Sequence, residues 1–206
     1  MTRTPERHIR RWDRQAPTYD ARMDLVERRW FAGSRAWVGS RAHGATLEVA
    51  IGTGANLPHY PDDLALTGVD SSPAMLEVAR RRAESTGRTL TLHEADATVL
   101  PFPPGSFDTV VLTFSLCCIP DERAALTEAL RVLRPGGSLL LADHVRATSW
   151  PLRALQHSVE LVSVPLQGEH YTRRPVVTLG GLGAVVVETE RLTHGAIEHV
   201  HARGPA

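Results

Sequence analysis

The sequence contains no lysine, and all 23 of its basic side chains are arginines. Phosphate-binding P-loops, Schiff-base enzymes and dehydrogenases with a Tyr/Lys pair each need a lysine ammonium group. The absence of lysine therefore excludes these three classes.

Cysteine is scarce, since the only two are the neighbours Cys117 and Cys118. Adjacent cysteines cannot build a disulfide framework, because the ring that they would close is badly strained. The most apolar stretch, residues 109–119, is far shorter than the roughly 20 residues that cross a bilayer. Residues 2–20 are too polar and too rich in arginine for a signal peptide. We therefore expect a soluble, cytoplasmic protein without a transmembrane segment.

Net charge is also missing, because 23 acidic side chains balance the 23 arginines. Without a net field that attracts phosphates, we expect no nucleic-acid partner. The charge is unevenly distributed: residues 1–41 carry ten arginines against five acids, which leaves thirteen against eighteen in the rest. We interpret the basic segment as a lid helix with exposed arginines, and contact with an anionic lipid or substrate is the alternative.

The sequence does contain an alternation of strand-like and helix-like segments, over a length typical of one domain. We assign residues 1–206 to a single domain, with a helical lid over 1–41, broken near Pro17, and a core over 42–206. The predicted strands cover residues 46–50, 65–70, 89–93, 108–113 and 138–142, and the predicted helices cover 72–86, 121–133 and 151–165. Extended runs at 184–189 and 196–201 flank a turn and predict an antiparallel hairpin. This order predicts an α/β fold with a doubly wound, Rossmann-like and mostly parallel sheet.

The most informative segment is an apolar strand that runs directly into a turn with Gly52 and Gly54. Glycines let a ligand approach the backbone, and open α/β sheets bind ligands beyond the carboxyl ends of their strands. Asp70 ends the next strand, where a carboxylate can accept hydrogen bonds from ribose hydroxyls; capping of the following helix is its alternative role. Leu57 stands where a dinucleotide-binding turn has its third glycine, so the pattern favours a nucleoside without a pyrophosphate. Asp96 follows the third strand and could accept from an adenine amino group.

Seven short motifs follow one another along about residues 12–145. They are residues 16–20, 47–56, 69–76, 95–97, 100–102, 106–108 and 130–137. In this order and spacing they resemble the class I S-adenosylmethionine-dependent methyltransferases, and in particular the ubiquinone/menaquinone methyltransferase-like branch. The resemblance implies S-adenosylmethionine as the cofactor, S-adenosylhomocysteine as its product, and a small molecule as the methyl acceptor.

The resemblance also implies roles for individual residues. Glu48 and the Gly52–Gly54 turn would face the methionine part of the cofactor, and Asp70 would hold the ribose. Met75, Asp96 and the Ala97 amide would contact the adenine, while Thr113 and Tyr19 would close over the sulfonium end. The implied cofactor-binding residues are Tyr19, Glu48, Ala50, Gly52, Gly54, Asn56, Asp70, Ser71, Met75, Asp96, Ala97, Thr113 and Cys117. Ala50 departs from the family pattern, which usually has glycine at this position.

The acceptor is predicted from two further likenesses. Residues 116–118 and 143–145 resemble a branch that includes the mammalian methyltransferase-like thiol methyltransferases. Residues 193–198 resemble bacterial relatives described as phospholipid or quinone methyltransferases. A thiol acceptor is therefore slightly preferred, and C- or O-methylation of a quinone or natural-product ring and N-methylation of a lipid amine stay open. A module that binds S-adenosylmethionine without catalysis is the alternative from another class.

His144 and His170 are the candidate general bases, since histidine is the commonest proton acceptor at neutral pH and both fall at predicted pocket edges. A thiol needs less help, because its pKa of about 8.5 lies close to neutrality. Cys117 and Cys118 are expected to pack as small apolar side chains, with at most one facing the pocket. The ten histidines show no His-x-x-x-His spacing, so we predict no metal site.

Overall fold

The computed structural model describes residues 5–31 and 33–204. Its helices are α1 (Pro5–Gln15), α2 (Tyr19–Trp30), α3 (Ser34–Gly39), α4 (Pro73–Ser85), α5 (Glu122–Val132), α6 (Trp150–Gln167) and α7 (Pro175–Gly181). Its strands are β1 (Ala45–Val49), β2 (Ala65–Asp70), β3 (Leu90–Glu94), β4 (Phe107–Thr113), β5 (Leu133–His144), β6 (Val185–Leu192) and β7 (Ile197–Arg203). Short 3-10 turns lie at Ala16–Thr18, Leu57–His59 and Thr193–Gly195.

The seven strands form one sheet with the order β3-β2-β1-β4-β5-β7-β6. β1 pairs in parallel with β2 and β4, and the parallel set extends to β3 and β5. β7 runs antiparallel between β5 and β6. The strand order reverses between β1 and β4, which is where open α/β sheets bind ligands. The predicted doubly wound, Rossmann-like fold with a C-terminal antiparallel hairpin and N-terminal helices is confirmed.

The helices that follow β2 and β4 begin at capping side chains. The N–H of Met75 donates to the Ser72 hydroxyl at 3.2 Å, and Pro73 occupies the first turn of α4. The Asp121 carboxylate caps α5 in the same way, accepting from Ala124 at 2.9 Å. These caps fix the loops before α4 and α5, and both loops line the cavity described below.

β4 is the central strand and is buried on both faces. Val110 and Leu112 pack in a hydrophobic cluster with Leu126 of α5, whereas Val111 packs on the opposite face with Val38 of α3. A parallel strand covered by helices on both faces needs apolar side chains at every position. This explains the apolar run at 109–113 as a core strand. Within the described residues, no helix has the length and apolar character needed to cross a membrane.

The structure differs from the sequence-based expectation in three places. The lid contains three helices, because α3 follows the two that the sequence predicts. β5 begins at Leu133, which pairs with Phe107, and its register then shifts so that Ser138 pairs with Thr109. The short helix α7 is not predicted, because its two glycines disfavour a helix. Its buried Leu179 packs in the core cluster with α5, so tertiary contacts stabilise it.

Candidate functional site

A cavity of about 530 Å³ opens at the carboxyl ends of β1, β2 and β4, beneath α1. Ten of the thirteen predicted cofactor-binding residues line it: Tyr19, Glu48, Ala50, Gly52, Asp70, Ser71, Met75, Asp96, Ala97 and Thr113. The other three, Gly54, Asn56 and Cys117, lie behind its wall, as do the candidate bases His144 and His170. The fold thus brings the predicted cofactor residues together and leaves both histidines outside the lining.

Asp70 stands at the end of β2 with its carboxylate fixed by two backbone amides. The N–H of Gly52 donates to Oδ2 and the N–H of Ser72 donates to Oδ1, each at 2.9 Å. Burial raises the pKa of Asp70 to about 6, although the amide hydrogen bonds oppose the rise. Each carboxylate oxygen keeps a lone pair that can accept a hydrogen bond from a hydroxyl group. The arrangement suits a vicinal diol such as that of ribose.

The neighbouring wall combines an apolar side chain with a carboxylate. Met75 is buried in the first turn of α4, and Asp96 follows β3. Asp96 Oδ1 accepts the N–H and the hydroxyl of Thr98, both at 2.8 Å, so Oδ2 remains to accept from a ligand. The Met75 thioether can pack on the flat face of an adenine ring, and the Asp96 carboxylate can accept a hydrogen bond from its amino group.

Glu48 is buried in β1, with 3 % of its surface exposed, and belongs to a polar network. Asn56 Nδ2 donates to Glu48 Oε1 and to Thr113 Oγ1, and the Tyr60 hydroxyl donates to Glu48 Oε2, all at 2.9 Å. Burial raises the pKa of Glu48 to about 7, although these donors and Arg35 lower it. Asn56 therefore acts from behind the cavity wall, where it orients Glu48 and Thr113.

Two residues at the strand ends have left-handed backbone conformations that L-amino acids rarely adopt. Ala50, after β1, has φ 54°, and Phe114, after β4, has φ 50°. The conformation of Ala50 explains why the family usually has glycine there, because a side chain costs about 1–2 kcal/mol in this region. Gly54 also has a positive φ of 74°, and an added Cβ would lie 2.9 Å from Leu57 Cδ1. Gly54 thus shapes the turn without lining the cavity.

α1 spans the cavity mouth, and polar contacts fix it both to the start of α4 and to the loop after α6. The Ser72 hydroxyl, at the start of α4, donates to Asp13 Oδ1 at 2.6 Å. Toward the other side, Arg11 Nη2 donates to Glu169 Oε1 at 2.9 Å. Specific polar contacts therefore fix α1 at the cavity, where a lid role stays a prediction.

α2 is tied to the glycine turn. The Thr53 hydroxyl donates to Asp20 Oδ1 at 2.6 Å, and Arg82 of α4 forms an ion pair with the same carboxylate. Tyr19, the preceding residue, lines the cavity and meets the Trp12 ring edge-on, with 6.1 Å between the ring centroids. The lid and the turn after β1 are therefore one connected unit.

Beyond the adenosyl-sized part, the cavity ends at an aromatic wall with one cation. The Phe114 ring stacks on Phe31, with centroids 4.4 Å apart, and the Arg35 guanidinium lies 5.5 Å from the Phe114 centroid. Arg35 Nη1 also donates to Asn56 Oδ1 at 2.8 Å, which joins it to the Glu48 network. This end of the cavity combines apolar surface with positive charge.

The two predicted bases lie behind this wall. The His144 ring is 18 % exposed and packs 5.2 Å from the Phe114 centroid and 4.6 Å from the Phe31 centroid. His170 joins the wall through its backbone, whose N–H donates to Cys117 O at 2.8 Å. Burial and the nearby Arg173 lower the pKa of His170, so its ring is neutral at pH 7. Their catalytic role stays a prediction.

Asp143 organises the loop behind the wall. Its buried carboxylate accepts the backbone N–H groups of Ser115, Leu116 and His144, at 3.0, 2.7 and 2.7 Å. Ligand-type atoms of Cys117, Asp143 and His144 lie within 4.8 Å of one another, but these amides already engage the carboxylate. The cluster is therefore explained as a loop cap, and the prediction of no metal stays a prediction.

The two cysteines lie as the sequence predicts, with one of them at the cavity. Cys117 is buried and outside the lining, whereas Cys118 lines the cavity. The Cys118 thiol and burial raise the pKa of Cys117, so its thiol is protonated at neutral pH. The residue chosen from the sequence, Cys117, is thus one position away from the cysteine that reaches the site.

Several lining residues escaped the sequence analysis. They are His8, Ile9 and Trp12 on the lid, and Arg35 at the aromatic end. A signal was available in α1, because positions 8, 9 and 12 share one face of a helix in an otherwise charged segment. His8 Nε2 accepts the Trp12 Nε1–H at 3.1 Å, so this hydrogen bond joins two of the lining side chains of α1.

Comparisons with known proteins agree with this geometry. Residues 47–141 match the family model of the methyltransferase domain. The chain is similar to the demethylmenaquinone methyltransferase of Renibacterium salmoninarum, with 31 % identity over 180 residues, which are 85 % of this chain and 74 % of that protein. It is also similar to the phosphatidylethanolamine N-methyltransferase of Cereibacter sphaeroides, with 37 % identity over 118 residues. That match spans 56 % of this chain and only 58 % of the Cereibacter protein.

A solved structure shares the fold. The S-adenosylmethionine-dependent methyltransferase of Thermotoga maritima, described as a possible histamine N-methyltransferase, has a TM-score of 0.71 and 24 % identity. The alignment covers 93 % of this chain and 97 % of that one. The cavity residues fit S-adenosylmethionine, because Asp70 offers acceptors for a ribose diol and Asp96 offers one for an adenine amino group. The chain belongs to the class I S-adenosylmethionine-dependent methyltransferases of the quinone methyltransferase-like group, and S-adenosylmethionine is its cofactor.

Proposed function

We propose that this enzyme methylates a hydroxylated aromatic small molecule of the quinol class, at a ring carbon or a ring oxygen. The observation that carries the proposal is the Arg35 guanidinium, which stands at the aromatic end of the cavity beside Phe114. The cofactor, when bound, supplies a methyl group on a sulfonium, and the chain must present an electron-rich acceptor to it.

Arg35 is suited to activating a phenolic hydroxyl. A cation within a few ångströms stabilises a phenolate and lowers the pKa of the phenol, typically by about 1–3 pH units. A phenolate is a better nucleophile at oxygen and at the ring carbons that share its charge. Arg35 is also held in place, because its Nη1 donates to Asn56 Oδ1 at 2.8 Å. A fixed cation costs little reorganisation when charge develops on the acceptor.

The shape of the cavity wall favours a flat, apolar acceptor. Phe114, Ile119 and Pro120 line one part of it, and Ile9 and Trp12 of the lid face the cavity as well. Aromatic rings pack on such side chains in stacked or edge-on geometries. The demethylmenaquinone methyltransferase among the relatives supports a ring acceptor.

The rest of the chain positions the reactants and excludes water. In this proposal Asp70 holds the adenosyl end, and α1, which Asp13 and Arg11 fix to the domain, covers the mouth of the cavity. We retain His144 as the candidate proton acceptor, although the Phe114 ring lies next to it. Its Nδ1 is buried without a hydrogen-bond partner and lies 3.6 Å from Asp143 Oδ1.

The proposal is tested with methyl-labelled S-adenosylmethionine and three acceptors: a hydroquinone with an apolar substituent, an alkyl thiol, and phosphatidylethanolamine in micelles. We expect methylated product from the hydroquinone and at most traces from the other two. Turnover restricted to the thiol would instead establish the acceptor that the sequence slightly prefers. Product from the amine alone, or no S-adenosylhomocysteine with any acceptor, would also refute the proposal.

Variants of Arg35 test its role directly. In Arg35→Gln the acceptor loses the neighbouring cation, so kcat at pH 7 falls by about 10- to 100-fold and the pH profile moves up by about 1–2 pH units. Arg35→Lys keeps the charge and should restore part of the activity. Arg22→Gln, on the exposed surface of α2, removes an equal charge and serves as the matched control. A merely structural role of Arg35 would lower activity without moving the pH profile.

A further inference from the structure

α6 is oriented with its polar side toward the protein. Gln156 is buried, and its Nε2 donates to Val145 O at 2.9 Å while its Oε1 accepts from Ala147 N at 2.8 Å. Glu160 Oε1 accepts the N–H groups of Tyr171 and Thr172 at 2.6 and 2.8 Å. The helix is therefore attached to the domain mainly by polar contacts, the opposite of an ordinary surface helix.

The outer side of α6 is apolar. Of the eleven exposed large hydrophobic side chains in the described part of the chain, six lie on this helix: Trp150, Leu155, Val159, Leu161, Val162 and Leu166. Four of them, at positions 155, 159, 162 and 166, follow helical spacing and form one stripe. Ser158, on the same side, has its hydroxyl satisfied by Ala154 O at 3.0 Å. A continuous apolar face of this kind marks an interaction surface.

Positive charge adjoins this face. Glu169, two residues beyond the end of α6, is the residue that holds Arg11 of α1. On α1 the side chains of Arg7, Arg10 and Arg14 are exposed, and among the described residues Glu6 pairs with Arg10 alone, at 3.3 Å. The helix that the Arg11–Glu169 ion pair joins to the end of α6 therefore carries exposed positive charge.

We infer that α6 and the arginines of α1 bind the surface of an anionic lipid bilayer, with α6 lying in the headgroup region. A helix with an apolar outer face beside arginines has the composition of interfacial helices, which combine apolar burial with attraction to anionic lipids. The binding does not depend on which acceptor the enzyme methylates.

A second copy of the chain fits this surface less well. It would have to place acidic side chains opposite the arginines of α1. The acids nearest α6 are already engaged, because Glu160 accepts two backbone amides, and Glu169 binds Arg11 and the Tyr171 hydroxyl. A bilayer with anionic headgroups supplies both the apolar and the negative component.

The test is flotation of the intact protein with vesicles of phosphatidylcholine alone and of an equimolar mixture with phosphatidylglycerol. We expect wild-type protein to float with the mixed vesicles, more weakly with the neutral ones, and less as salt is added. Val162→Glu should bind at least about tenfold more weakly, since burial of one valine contributes about that factor. Arg7→Gln with Arg14→Gln should weaken binding to the anionic vesicles about fivefold for each arginine.

The matched control is Val187→Glu on β6. Val187 is 51 % exposed, close to the 59 % of Val162, but it lies near the start of β6, at the end of the sheet opposite the cavity. This variant should float like the wild type. Equal loss in both valine variants, no flotation of the wild type, or a dimer in light scattering that Val162→Glu dissociates would each overturn the inference.

Discussion

Replacing Asp70 by asparagine should weaken cofactor binding and at the same time stabilise the free protein. The carboxylate is partly buried in the cavity wall, and desolvation raises its pKa from 3.8 to about 6. At about 1.4 kcal/mol per pH unit, the charged form destabilises the fold by about 3 kcal/mol relative to an unperturbed carboxylate. The neutral amide of Asp70→Asn would avoid this cost but could accept only one of the two amide hydrogen bonds. We expect a net gain of about 1–2 kcal/mol at pH 8.

The sign of the pH dependence follows from the same pKa values. The folded-state pKa lies above the unfolded one, so the folded protein binds more protons between about pH 4 and pH 6. The contribution of Asp70 to the free energy of unfolding therefore falls as the pH rises through this window and is constant above it. Thermal unfolding of the free protein should show this trend in the wild type and lack it in Asp70→Asn.

The Asp70→Asn substitution, which is expected to stabilise the free protein, should weaken its binding of the cofactor. In the proposed role of Asp70 the charged carboxylate accepts from the ribose hydroxyls. Loss of its charge in Asp70→Asn should therefore raise the Kd for S-adenosylhomocysteine by about 30- to 150-fold, or about 2–3 kcal/mol. Protonation of the wild-type carboxylate should weaken binding about tenfold between pH 7 and pH 5, and the variant should show no such change.

The affinity for S-adenosylhomocysteine is measured by calorimetric titration at several pH values, and the stability of the free protein is measured by thermal unfolding. A lower melting temperature with unchanged affinity would show that Asp70 serves only as a helix cap. Unchanged affinity in Asp70→Asn would by itself refute the assignment of the cofactor site.

Three further predictions concern the stability of the free protein, and each is measured by denaturant unfolding. Ala50→Gly should stabilise the free protein by about 0.5–1 kcal/mol. Glycine adopts φ 54° without the steric cost that alanine has there, and the greater chain entropy of glycine in the unfolded state offsets only part of this stabilisation. A loss of stability would contradict the inference that the backbone of Ala50 is strained. Gly39→Ala should destabilise it by about 1–3 kcal/mol despite the better helix propensity of alanine, because the new Cβ would lie 2.2 Å from the backbone oxygen of His59. Asp143→Ala should cost at least about 3 kcal/mol, since it leaves three amides unpaired, and a small effect would show that water replaces the carboxylate.

The sequence predicted the sheet, and it picked out residues that line one cavity, because both depend on local patterns. Strand β2 has its predicted bounds, and β1, β3 and β4 each begin and end within one residue of theirs. Glycines, a strand-terminal aspartate and helix caps occupy fixed positions within each βα unit. The carboxyl ends of parallel strands then meet at one edge, so Asp70 and Asp96 reach the same cavity.

The acceptor side could not be predicted in this way. His144 follows the expected strand, but Phe114, in a rare backbone conformation, packs against its ring at the cavity wall. His170 lies in the expected loop, and its backbone N–H donates to Cys117 O. Cys117 and Cys118 are neighbours in a loop and differ in which of them reaches the cavity. A loop has no regular repeat from which the direction of a side chain could be predicted. Arg35 lies far from the motifs in sequence and reaches the cavity only because α3 packs beside β4 and β5.

The sequence by itself determined the order of the strands and of helices α4, α5 and α6 along the chain, and the position of the glycine turn after β1 and of the carboxylates beside it. Hydrophobic periodicity, glycine and capping side chains act over a few residues, so they can be recognised without neighbours. Only the tertiary structure decided which side chains line the acceptor end and which face of α6 turns outward. Those properties depend on packing between segments far apart in the chain, so a short sequence pattern does not contain them.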